Sequence, residues 1–112
     1  MTCRSEFWPS YAVLWRELGG QLCSGELEFR DDVLRLDGTR RDGEVCTLEI
    51  PYRVIRGARV GRAARERIDG RAALLVELPD ERTVLVTSPV GLGMIHEVVD
   101  RLDALVSGGL RV

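Results

Sequence analysis

Most of the chain alternates hydrophobic and polar residues over short runs, which is the two-residue period of a β-strand with one buried face. The clearest run covers residues 25–29, where Leu27 and Phe29 alternate with glutamates. An Asp-Asp pair at residues 31–32 then leads into a second run at residues 33–36. Because aspartates are frequent in tight turns, this stretch predicts a β-hairpin.

Seven such strands can be assigned before the pattern changes. They cover residues 11–17, 25–29, 33–36, 45–50, 58–60, 72–78 and 83–87. Asp-Gly and Pro-Asp-Glu sequences between several of them are typical of turns. The first segment also fits one and a half turns of helix, but its aromatic and β-branched side chains favour a strand.

After Ser88 and Pro89 the hydrophobic residues recur at spacings of three and four, which is the period of an α-helix. The stripe consists of Leu92, Ile95, Val98, Val99, Leu102, Leu105 and Val106. Gly108 and Gly109 are expected to end the helix, since glycine readily adopts the left-handed conformation of a helix cap. The chain thus divides into a loose N-terminal arm, one mainly β domain and a short tail, at residues 1–10, 11–106 and 107–112.

The order of seven strands and one closing helix resembles the pleckstrin-homology-like (PH-like) superfamily, and in particular its small bacterial members. The matching segments are residues 25–38, 47–55, 74–78 and the C-terminal helix. The resemblance implies a PH-like partly open barrel of seven antiparallel strands in two near-orthogonal sheets, capped by one C-terminal α-helix. Many members that bind inositol phosphates carry Lys and Arg in the loop after the first strand, whereas residues 18–25 contain no basic residue here. The remaining family modes are peptide binding, self-association and anion contact elsewhere on the barrel.

Composition places the chain among ordinary soluble globular domains. Of its 112 residues, 45% are hydrophobic and 30% are charged, which allows one domain with one core. No apolar stretch is long enough to span a bilayer, and Arg4, Glu6, Arg16 and Glu17 interrupt any secretory signal. All sixteen basic residues are arginine, a bias typical of a GC-rich bacterial genome. We therefore expect a soluble cytoplasmic protein.

The cysteine pattern argues against a metal site and against a disulfide framework. Three cysteines occur, Cys3, Cys23 and Cys46. They form no C-x-x-C pair, and an odd number cannot all be paired. Cys46 alternates inward with Leu48 and is interpreted as a small buried residue, whereas the other two are expected in flexible, exposed segments. No metal or other cofactor is predicted.

Positive charge is concentrated in one segment. The net charge of the chain is only −2, but residues 53–71 carry seven arginines against two acids, a local charge of +5. The arginines are Arg53, Arg56, Arg59, Arg62, Arg65, Arg67 and Arg71. Guanidinium groups fit phosphates and carboxylates, so this segment is a candidate anion-binding loop. The alternative is a solvated loop whose arginines pair with nearby acids. Because no aromatic residue follows Tyr52 within the segment, nucleic acid is not the expected ligand.

Two tryptophans form a second candidate site. Trp8 and Trp15 would make an interface anchor if the Trp15 side chain faces outward with Trp8 beside it. In the alternative arrangement Trp15 belongs to the core and Trp8 folds over one end of the barrel.

No residue pattern predicts catalysis. His96 is the only histidine, and no nucleophile and acid stand at a spacing that would support it. We predict a non-enzymatic binding or scaffold module that contacts a protein partner, or a second copy of itself, through an exposed strand edge. The alternative is peripheral binding of anionic lipid headgroups or another polyanion through residues 53–71. No small-molecule substrate is expected.

Overall fold

The computed structural model describes residues 10–61, 63–89 and 92–110, with the backbone alone for residues 92, 94 and 106–110. Its strands are β1 Ser10–Glu17, β2 Cys23–Phe29, β3 Val33–Arg40, β4 Val45–Pro51, β5 Gly57–Gly61, β6 Arg67–Ile68, β7 Arg71–Glu77 and β8 Thr83–Thr87, and its helix is α1 Leu92–Leu110. The mainly β class with one C-terminal helix is confirmed, and residues 11–17 form a strand. Of the predicted N-terminal arm, residues 1–9 lie outside the described residues.

One antiparallel sheet curls into a half-barrel, with the strand order β4-β3-β2-β1-β8-β7-β5. β1 connects its two sides, because β1 pairs with β2 along one edge and with β8 along the other. The two-residue strand β6, which was not predicted, pairs with the start of β7. The seven predicted strands are therefore the seven members of this curled sheet.

The inner face of the sheet and one side of α1 form the main core. Its buried members include Val13, Trp15, Leu27, Phe29, Leu34, Leu36, Ile50, Leu74, Val76, Val84, Val86, Ile95, Val98 and Leu102. α1 lies against β5, β7 and a short 3₁₀ turn, Tyr52–Val54. The predicted apolar stripe of the helix is thus core, as expected from its period.

α1 continues to Leu110 and passes through Gly108 and Gly109, so the predicted end of the helix was wrong. A glycine inside a helix costs about 1 kcal/mol relative to alanine, but it does not prevent the helical conformation. Glycine makes a left-handed helix end possible, but it does not require the helix to end there.

A smaller cluster covers the outer face of the sheet. Ile68, Ala73, Leu75 and Leu85 are buried there, with Leu14 and Leu22 packed at the margin. Ile68 reaches this position because the chain after β5 folds back and pairs with β7 through β6. β7 is therefore buried on both faces, which explains its uninterrupted apolar run, Ala-Ala-Leu-Leu-Val at residues 72–76.

Candidate binding surfaces

Three of the candidate arginines are held by contacts within the fold. The Arg59 guanidinium bridges two carboxylates, with Nη2 3.0 Å from Glu66 Oε2 and Nε 3.3 Å from Glu77 Oε2. The hydrogen bonds that Arg59 donates, first to Glu66 and then to Glu77, raise the pKa of Arg59. Arg71 donates to the Ser88 carbonyl at 3.1 Å, and Arg67 donates to the Gly70 carbonyl at 3.5 Å. These side chains fasten the loop between β5 and β7 to its neighbours.

Three other candidates are exposed without such contacts. Arg53, Arg56 and Arg65 have no side-chain partner among the described residues. They also belong to two different places, because Arg53 and Arg56 lie at the 3₁₀ turn against α1, whereas Arg65 lies in a second 3₁₀ turn near β7. Arg62 lies outside the described residues. The Arg-rich segment is therefore one charged stretch of sequence but not one cluster of free guanidinium groups.

The edge of β4 is open. One side of β4 pairs with β3, from the pair of Pro51 with Val33 to the pair of Val45 with Thr39. No strand among the described residues pairs with its other side. At the opposite end of the sheet, β5 lies against α1. Val45 is 79% exposed, so an apolar β-branched side chain stands at the outer face of an unpaired edge. Val45 was not a predicted site residue, although an apolar residue on the polar side of the β4 alternation was the available signal.

Trp15 does not contribute to an exposed surface. Only 4% of it is exposed, and its indole N–H donates to the Asp37 carbonyl at 3.1 Å. Trp15 therefore stabilises the junction of β1 with the β2–β3 hairpin from inside the core, which corrects its choice as an interface residue. Trp8 lies outside the described residues.

Cys23 and Cys46 form a disulfide, although the cysteine pattern argued against a disulfide framework. Cys23 begins β2 and is 3% exposed, so its assignment to a flexible, exposed segment was also wrong. Cys46 is half-buried on β4. It is bonded to Cys23, so its interpretation as a small buried residue without a partner was wrong. The odd cysteine count rules out complete pairing, but it does not rule out one pair. Cys3 lies outside the described residues.

The disulfide spans β3, which lies between the two bonded strands. In the register, Gly25 on β2 faces Gly38 on β3, and Gly38 faces Cys46 on β4. A Cβ atom on Gly38 would come within 2.6 Å of the Ser24 carbonyl oxygen, so this row needs glycine. Strands two positions apart are separated by roughly 9.5 Å in a flat sheet. The Cα atoms of Cys23 and Cys46 are 7.0 Å apart, so the sheet bends sharply at the glycine row.

A small cleft of about 140 Å³ opens beside the disulfide. It is lined by Trp15, Glu17, Gly20, Gln21, Cys23, Arg40, Cys46, Thr47 and Leu48. Arg40 stands directly opposite Cys23 in the β2–β3 register. Its Nη1 lies 3.3 Å from Glu44 Oε1, whereas its Nε is buried and has no hydrogen-bond partner in the described part of the chain. Both cysteines of the disulfide and Arg40 therefore line one cleft.

The metal-ligating side chains of residues 10–61, 63–89 and 92–110 form no cluster. His96 is exposed on α1, and no group of three His, Cys, Asp or Glu side chains in these ranges could hold a metal ion. No described helix is both long and apolar enough to cross a membrane.

Comparison with known proteins assigns no family. No protein-family model matches the chain, and no curated protein shows significant similarity to it.

Proposed function

We propose that this chain is a non-enzymatic binding module of PH-like fold that accepts an extended protein segment as an additional strand beside β4. The segment comes from a protein partner or from a second copy of the chain. The observation that carries this proposal is the unpaired edge of β4 with Val45 79% exposed. An unpaired edge offers backbone donors and acceptors to an incoming strand, and these hydrogen bonds supply affinity without a specific side chain.

The side chains of β4 favour docking along its first half. Val45 and Thr47 are exposed on the outer face, and Cys46 and Leu48 are half-buried on the inner face. An added strand would cover both pairs, and alternating contacts of this kind give strand addition its specificity. Towards the other end, Glu49 pairs with Arg35 at 2.9 Å and Pro51 ends the strand, which limits docking to the residues before them.

The strand order and the closing helix support the PH-like assignment, since the resemblance implies a curled seven-strand sheet finished by one helix. Cytoplasmic location is part of the same proposal. Disulfides rarely persist in that compartment, so the Cys23–Cys46 bond would be reduced or exchanged there for much of the time.

Val45→Lys tests the proposal, because a charged lysine on an edge strand opposes pairing with another strand. The matched control is Leu18→Lys, which places the same charge at a 46% exposed leucine after β1. Sedimentation velocity over a range of concentrations detects self-association, and selection from a displayed random-peptide library detects strand-like ligands. We expect Val45→Lys to weaken either interaction at least tenfold and Leu18→Lys to leave it unchanged. A monomer whose selected peptides bind Val45→Lys as well as the parent would disprove the proposal.

A second candidate function is binding of a polyanion, favoured by the exposure of Arg53, Arg56 and Arg65. Co-sedimentation with vesicles that contain anionic lipid, at low and physiological salt, measures it directly. The double variant Arg53→Glu with Arg56→Glu should abolish binding. Arg59→Gln is the control, since Arg59 is already paired with two carboxylates and should affect binding little. Equal binding to neutral vesicles, or no binding at low salt, excludes this function.

A further inference from the structure

We propose that the Cys23–Cys46 pair is a thiol–disulfide exchange site, at which a low-molecular-weight thiol forms a mixed disulfide with Cys46 and releases Cys23. Two observations carry this proposal: the cleft beside the disulfide, and the difference in exposure between Cys23 and Cys46. It does not rest on strand docking at β4, although a docked strand would cover Cys46.

The two cysteines differ in access. Cys23 is 3% exposed, whereas Cys46 is half-buried at the wall of the cleft. Exchange requires the attacking thiolate to approach one sulfur along the axis of the disulfide bond, so access determines which sulfur is attacked. An incoming thiol from the cleft therefore reaches the Cys46 sulfur and leaves Cys23 as the departing group.

Arg40 is placed to favour that departure. It stands opposite Cys23 in the register and lines the same cleft, and its buried Nε has no hydrogen-bond partner in the described chain. A guanidinium beside a thiol stabilises the thiolate, and a more stable thiolate leaves faster. Arg40 Nη1 is 3.3 Å from Glu44 Oε1, so the carboxylate occupies the outer end of the guanidinium, and Nε is the buried nitrogen. Arg40 is thus a positioning and charge-stabilising residue for the exchange.

The step balances without an external oxidant. The incoming thiol loses its proton to water, and its thiolate attacks the Cys46 sulfur. The new sulfur–sulfur bond forms as the Cys23–Cys46 bond breaks, and the electron pair of the broken bond goes to the Cys23 sulfur. Cys23 leaves as a thiolate and later takes a proton from water, or attacks the mixed disulfide and restores the original bond.

Trapping identifies the attacked sulfur. The full chain with Cys3→Ser is treated with reduced glutathione, quenched with N-ethylmaleimide, and mapped by peptide mass spectrometry. We expect glutathione on Cys46 and maleimide on Cys23. The reverse arrangement overturns the proposal. So does the lack of any adduct when the same protein, unfolded in urea, forms it at the same glutathione concentration.

Rates test the contribution of access and charge. Against oxidised glutathione, Cys46 in the Cys23→Ser variant should react at least about tenfold faster than Cys23 in Cys46→Ser.

In the Cys3→Ser background, Arg40→Gln should slow exchange by about threefold, and Arg40→Lys should restore most of the rate. Arg41→Gln, at the residue that follows the end of β3, is the control and should leave the exchange rate unchanged. Equal reactivity of the two cysteines overturns the proposal, as does equal slowing by Arg40→Gln and Arg41→Gln. If a variant fails to fold by circular dichroism, the trapping result alone decides.

Discussion

The two sides of the curled sheet bury different numbers of faces. On the side formed by β2, β3 and β4, here called the open side, only the inner face is covered and the outer face carries polar residues. On the side formed by β5, β7 and β8, the closed side, α1 covers the inner face and Ile68 covers the outer face of β7. The open side must therefore be stabilised by other means, and it keeps an edge that can accept a partner.

A disulfide and a pair of hydrogen bonds hold the two ends of β4, the outermost strand of the open side. The disulfide ties Cys46 near its start to β2. Beyond its end, the Tyr52 hydroxyl donates to the Arg30 carbonyl at 2.7 Å, and the Tyr52 amide donates to the Asp32 carbonyl at 3.2 Å. Between these points the backbone of β4 pairs with β3 alone among the described strands. We expect β4 to be the first part of the sheet to open.

The largest difference between the sides should appear in core truncations. Leu74 on β7 is fully buried, so Leu74→Ala should lower the free energy of unfolding by about 3–4 kcal/mol. Leu48 on β4 is half-buried, and Leu48→Ala should cost about 1–2 kcal/mol because its site is partly solvated already. Urea denaturation of both variants measures the contrast. Equal losses would mean that the open side is packed as tightly as the closed side.

Removal of the disulfide should affect the open side selectively. The bond closes a loop with a sequence separation of 23 residues, for which chain entropy gives a contribution of about 3 kcal/mol. In Cys46→Ser, amide hydrogen exchange should accelerate along β4 and the β3–β4 turn while β7 stays protected. The Cys3→Ser variant is the control and should match the parent. Uniform acceleration over the whole sheet would contradict a local role for the bond.

These contrasts also explain what could be predicted from sequence. Alternation, residue type and turn sequences together located all seven strands, because burial and tight turns leave a trace in the residue types. The disulfide left no such trace, since it depends on the sharp bend at Gly25 and Gly38. Pairing of the segment's arginines with nearby acids was one of the two alternatives, and Arg59 with Glu66 is such a pair, but the second partner of Arg59, Glu77, was hidden. Glu77 stands 18 residues after Arg59, and only the β5–β7 register brings their side chains together.

A smaller effect should appear at alkaline pH through Tyr52. Burial, followed by the charges of Asp31 and Asp32, raises the pKa of Tyr52 from 10.0 to about 12. Above pH 10 the unfolded chain loses this proton while the folded chain keeps it, so stability falls as pH rises from about 10 towards 12. Solvent around the exposed part of the ring reduces the expected loss to about 1–2 kcal/mol.

The Tyr52→Phe variant isolates this effect. At pH 7 it should be less stable than the parent by about 1 kcal/mol, because the Arg30 carbonyl loses its hydrogen-bond donor. As pH rises from 10 to 12, the parent should lose this advantage relative to the variant. Urea denaturation is compared in a Cys3→Ser background, which removes Cys3 as a source of disulfide exchange. Parallel stability curves over this range would show that Tyr52 ionises equally in both states.

The smallest expected effects concern the hairpin turns of the two sides. The β3–β4 turn places Gly43 at a φ of 93°, whereas the β7–β8 turn places Asp80 and Glu81 at φ values of 63° and 61°. Residues other than glycine adopt this left-handed region at a cost of about 1 kcal/mol or more. Glu81→Gly should therefore stabilise the fold by about 1 kcal/mol, and Gly43→Ala should destabilise it by a similar amount. An added Cβ at Gly43 meets no atom within 4 Å, so a loss there is conformational rather than steric. If urea denaturation shows both changes to be neutral, the sharp turn of each hairpin is not maintained in solution.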